Sequence, residues 1–96
     1  MTGNTLSEFI DDILTMGGPE KEFLFRGKKY LLQSQTYSLD SKLIELVIFE
    51  CFDNENYIFR CHGKDFYECF KQFEKARIFD GMNIYEAESE IQVLFG

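Results

Sequence analysis

Apolar residues recur first at helical spacing, with Leu6, Phe9, Ile10, Ile13 and Leu14 forming one stripe. Ahead of them Thr5-Leu6-Ser7-Glu8 reads as a capping box, the Thr5 hydroxyl and the Glu8 carboxylate each satisfying an amide of the other. Gly17-Gly18-Pro19 stops the helix, because glycine accepts a left-handed cap and proline cannot continue. The period then drops to two. In Glu22-Phe23-Leu24-Phe25-Arg26-Gly27-Lys28-Lys29-Tyr30-Leu31-Leu32, apolar and aromatic residues flank a turn whose Gly27 takes positive φ without steric cost. With Phe25 opposite Tyr30, Phe23 falls opposite Leu32 and the four share one side of a sheet. Leu24 and Leu31 fall on the other side among Glu22, Arg26, Lys29 and Gln33. The second strand runs toward Tyr37 and ends at a Ser38-Leu39-Asp40-Ser41 turn.

From Leu43 to Phe52 the chain is almost continuously apolar, rich in β-branched and aromatic residues and flanked by turns. That pattern suits a central strand covered on both faces. Asp53-Asn54-Glu55-Asn56 is read as the next turn, with a return strand over Tyr57-Ile58-Phe59-Arg60-Cys61-His62. Gly63 breaks the pattern, and Asp65-Phe66-Tyr67-Glu68 repeats the capping logic. Phe66, Cys69, Phe70, Phe73 and Ala76 then share a helical face. Asp80-Gly81 is a turn, Asn83 caps a short helical turn through Ala87, and Ile91, Val93 and Phe95 alternate with Gln92 and Leu94 as a last strand.

The predicted order is α-β-β-β-β-α-(short α)-β, a single α+β domain over 1–96. It has a four- to five-stranded, mainly antiparallel sheet with two main helices on one face. Two helices on one face leave the other side of the third strand bare. With Phe52 opposite Tyr57, that side carries Val47, Phe49 and Ile58, a candidate association surface unless the C-terminal segment folds over it.

Composition narrows the function classes. A core of 11 Phe and 5 Tyr suits a 96-residue chain, since each ring buries roughly 150–250 Å². A net charge of −7 argues against nucleic-acid binding, which relies on Lys and Arg for phosphate affinity. No apolar run approaches the ~18 residues that cross a bilayer, so no membrane partner is expected. The start, Met1-Thr2-Gly3-Asn4, lacks the pattern of a signal peptide. Three cysteines without scaffold spacing favour reduced thiols, hence a cytoplasmic protein.

The chemistry is sparse. Cys51, Cys61, His62 and Cys69 are zinc-ligand types, but Cys61 and His62 are strand neighbours that point to opposite faces. The same divergence argues against a Cys–His nucleophile. Asp53-Asn54-Glu55-Asn56 opens like a calcium loop and fails where Ile58 and Phe59 follow. Glu86, Glu88 and Glu90 read as a solvated face. No catalytic residue, cofactor or metal is therefore expected. Arg26, Lys28 and Lys29, with Lys21 nearby, form one basic cluster at the hairpin tip, a candidate contact for an acidic partner.

The stretch Glu22 to Leu31, of the form E-F-x-F-x-G-K-x-Y, and Ala76-Arg77-Ile78-Phe79-Asp80-Gly81 running to Glu86 and Ile91-Gln92-Val93-Leu94 together resemble small acidic proteins of unassigned function from Gram-positive bacteria. In those the closing segment takes the form A-R-I-D-G-K-x-x-x-E-x-W; here Phe79 is inserted and no tryptophan follows. The resemblance implies the fold order and a bacterial cytoplasmic setting, and transfers no site. The expectation is a non-enzymatic protein-interaction module with a protein partner, an immunity or inhibitor protein being one concrete form. The alternatives are a self-associating homodimer, and a small-ligand binder or enzyme using Glu86 with Tyr85.

Overall fold

A computed structural model describes residues 1–15, 20–38, 43–51 and 53–95, with backbone alone at 35–38, 53–55 and 95. Helix α1 spans Leu6–Thr15. Its capping box forms as the sequence predicts: Thr5 N donates to Glu8 Oε1 at 3.0 Å, and Glu8 N to Thr5 Oγ1 at 3.1 Å. Gly17-Gly18-Pro19 lies outside the described residues. Strands β1 (Glu20–Phe25), β2 (Lys28–Ser38), β3 (Leu43–Glu50) and β4 (Asp53–Gly63) follow as an antiparallel meander. Then come α2 (Phe66–Lys75), the single turn α3 (Ile84–Ala87), a 3₁₀ turn at Glu88–Glu90 and β5 (Ile91–Phe95). Strand β5 pairs antiparallel with β1, giving the order β4-β3-β2-β1-β5. The α+β expectation holds.

Three details of the strands differ from the sequence expectation. In the first hairpin Phe23 faces Tyr30 and Phe25 faces Lys28, two positions tighter than predicted. The reversal needs only Arg26 and Gly27, both at positive φ (48° and 81°), whose twist matches that of the strands. A shift of two keeps the side-chain parity, so Phe23, Phe25, Tyr30 and Leu32 still share the buried face. Secondly, Asp53 already pairs with Glu50, so the Asp53–Asn56 run belongs to β4 and is not the turn. Thirdly, β4 bulges where Ile48 meets Phe59 and Phe49 meets Tyr57, leaving Ile58 as the extra residue. The predicted opposition of Phe52 and Tyr57 gives way to Phe49 and Tyr57. The Ser38–Ser41 turn falls on 39–42, outside the described residues beyond Ser38, which ends β2.

The core cluster lies on one side of the sheet. Phe9 from α1, Phe23 from β1, Phe73 from α2 and Phe79 from the following loop are each at most 1% exposed. Their rings meet edge-on or tilted, at centroid separations of 6.1–6.4 Å. Helix α2 docks closely because β4 ends in glycine. A Cβ at Gly63 would sit 2.8 Å from Glu68 Cβ. Its N-cap is Asp65, whose Oδ1 accepts from Glu68 N at 2.9 Å, while the Glu68 carboxylate reaches Lys64 N instead of closing a box on Asp65. A second positive-φ pair, Asp80 and Gly81 (52° and 84°), folds Phe79 back against Met82. Asn83 and Glu86 then close the predicted box around α3.

Candidate functional site

Three helical segments lie on one side of the sheet, and among the described residues no element covers the other side. Because strand side chains alternate, the register assigns its residues in rows across the strands. One row runs Glu22, Leu31, Phe49, Tyr57; the next runs Glu20, Gln33, Val47, Arg60; beyond it Glu45 faces His62. Strand β5 lies at the sheet's edge beside β1, so this segment does not fold over the face. Of the predicted surface, Val47 and Phe49 are on the open face; the bulge moves Ile58 to pack against the covered core, and Tyr57 takes its place. Tyr57 meets Phe49 edge-on at 5.8 Å. Val47 is only 5% exposed, shielded by its own cross-strand neighbours.

At the β4 end sits a group the sequence reasoning missed. Glu45 interrupts an apolar run, and its carboxylate is buried. A buried carboxylate is costly unless donors surround it. Arg60 donates to Oε2 from Nε and Nη2, both at 3.1 Å, and His62 Nε2 lies 2.8 Å from the same oxygen. The guanidinium also lies 5.6 Å from the Tyr57 ring centroid, over its face. Arg60 is half exposed while Glu45 beneath it is 5% exposed, so a partner approaching the face meets the donors before the acid. One signal was available: an acid inside an apolar strand requires a partner on the neighbouring strand.

The hairpin-tip cations do not form one patch. Lys21, placed with them by the sequence, is 1% exposed on the covered side, where its Nζ donates to Asp12 at 2.7 Å and Asn4 at 3.0 Å. Arg26 grips both Glu90 oxygens and Asp80, which raises its pKa further above the ordinary guanidinium value. Lys28 lies 3.9 Å from Glu50. Lys29 bonds Glu22 on the open face, a hydrogen bond that raises the ammonium pKa.

The zinc-type residues separate. Cys61 and Cys69 meet in the core, where Cys61 donates to the Cys69 carbonyl at 3.8 Å and Cys69 to that of Ile44 at 3.6 Å. Burial pushes the Cys61 thiol up to about 12, and raises Cys69 as well. His62 is on the opposite face, and Cys51 is at the far end of that face beside Lys29. Among the described residues no cluster of three or more His, Cys, Asp or Glu is arranged to hold a metal. The acidic candidates also have structural partners. Glu86 closes the α3 box and accepts from Arg77; Tyr85 donates to Glu74 at 2.8 Å; Glu90 holds Arg26. The described residues enclose no pocket, and among them no helix is long and apolar enough to cross a membrane.

No family model, curated protein or solved structure matches the chain.

Proposed function

We propose that this protein is a non-enzymatic interaction module that receives a protein partner on the open face of its sheet. One observation carries the reading: five strands present a face that no described element covers, apolar at its centre, whose margin holds Arg60, fixed by buried Glu45, and Tyr57 against the Arg60 guanidinium. Tyr and Arg are the residue types that dominate binding energy at protein interfaces, and fixing them beforehand lowers the ordering cost. The edges of the sheet are poorer docking sites. Thr2 bonds Ile91 O and Val93 N along β5, and Gln72 donates to His62 O along β4, whose bulge also blunts pairing. Free thiols at Cys51, Cys61 and Cys69 fit a reducing, cytoplasmic setting. Regulation or neutralisation of the partner, as by an immunity protein, is the form this activity takes.

The test is capture from the native host with the wild-type chain and with Phe49→Glu. A partner held by the first and lost by the second supports the module. Recovery of the bare chain with both sinks it.

A further inference from the structure

Building on that interaction-module reading, we infer that the open face is occupied by a second copy of this chain, related by a two-fold axis parallel to the strands and midway between β2 and β3. The argument is the charge order along one row. Glu20, Gln33, Val47 and Arg60 are cross-strand partners in succession over β1 to β4, so an acid stands at one end and a cation at the other. Glu20 is exposed, and among the described residues its side chain has no hydrogen-bond or ion-pair partner. Arg60 bonds Glu45 through Nε and Nη2, not Nη1, and its side chain is half exposed.

A closed dimer requires a surface complementary to itself. The proposed axis puts Arg60 of each copy opposite Glu20 of the other, twice over. It also puts Leu31 opposite Phe49 at the centre and Glu22 opposite Tyr57. Face-packed sheets lie about 10 Å apart, within the combined reach of an arginine and a glutamate. The alternative ways for two such chains to meet are unfavourable. With a net charge of −7, the acidic helical layers of two copies repel, whereas on this face the acids Glu20, Glu22 and Glu45 are offset by Lys29 and Arg60. A second copy satisfies both ends of the row at once, and a host partner of the module would reach the face by displacing it.

Sedimentation equilibrium of the full chain at micromolar concentration, across a salt series, tests the inference. The expected result is a dimer that tightens as salt falls. Glu20→Lys, an exposed change with no side-chain partner among the described residues to lose, then raises the dimer Kd by at least about tenfold, because like charges meet at two symmetric places. Phe49→Glu gives a monomer with an unchanged far-ultraviolet spectrum. A wild-type monomer overturns the dimer, as does a dimer indifferent to Glu20→Lys. A monomer that still captures a host protein through Phe49 removes the dimer and leaves the module standing; a monomer that captures nothing removes both.

Discussion

Two faces of one sheet are built from alternate residues of the same strands, and they are stabilised by different physics. On the covered side Phe23, Leu32, Leu46 and Ile48 are fully buried beneath α1 and α2. On the open side Leu24, Leu31 and Phe49 are only half buried, and the ordered contacts include an aromatic edge contact, the charge pairs of Glu22 with Lys29 and Glu45 with Arg60, and His62 beside Glu45. Area removed from water stabilises the first face at about 25 cal/mol per Å². The second keeps part of that term in reserve, since its apolar surface has yet to leave water. The difference teaches where the fold is finished: stability resides in the covered layer, and the capacity to associate in the open one.

The largest expected effect follows directly. Phe73→Ala removes a ring that touches Phe9, Phe59 and Phe79 and should cost about 3–5 kcal/mol in urea unfolding. Phe49→Ala, measured on the monomer, should cost less, about 1–2 kcal/mol, since part of its ring stays in water after folding. Equal losses would break the comparison, because the open face would then be part of the core.

Next comes the buried Lys21, the charged group inside the covered layer. Asp12→Ala leaves its ammonium short of a carboxylate and should cost about 2–3 kcal/mol, discounted for the partial exposure of Asp12. Lys21→Met in the same background should restore most of the loss, since replacing both members removes the stranded charge. Failure of the second change to compensate would mean that the lysine stem, not its charge, is what that position requires.

The smallest effect is in acid. Glu8 accepts from the Thr5 amide and hydroxyl, Glu74 from Lys71 and Tyr85, and Glu90 from Arg26, and these bonds hold each carboxyl below its ordinary 4.5. A group whose pKa falls on folding binds its proton more weakly in the folded state. Its contribution is therefore present above about pH 4.5 and is lost as pH falls through the depressed value. Since Glu8 and Glu90 are exposed and Glu74 is half-buried at the surface, the thermal midpoint should decline gently below pH 4.5. Glu90→Gln should flatten that decline, and an unchanged slope would assign the acid sensitivity elsewhere.

Much of this architecture is legible locally. Thr5 with Glu8, and Asn83 with Glu86, announce helix starts because both partners lie within one turn. Asp80-Gly81 reads as a turn for a similar reason: both residue types tolerate positive φ. The first hairpin shows the limit. Arginine is an unusual occupant of the left-handed region, so sequence alone favours a longer loop around Gly27. The tight turn is held by Glu90 and Asp80, residues 64 and 54 positions away that close on the Arg26 side chain. The same limit hid Glu45, whose partners Arg60 and His62 are found only once the β3–β4 register is known. It also hid the bulge that exchanges Ile58 for Tyr57.

The alternation of apolar and polar residues determined the elements, their order and the sharing of each face, because backbone geometry fixes a period of two or 3.6 before any long-range contact forms. Register, bulge and charge pairing were decided by the assembled fold. A shift of two residues preserves every local preference, and only the fit of distant side chains across strands distinguishes one alignment from the next.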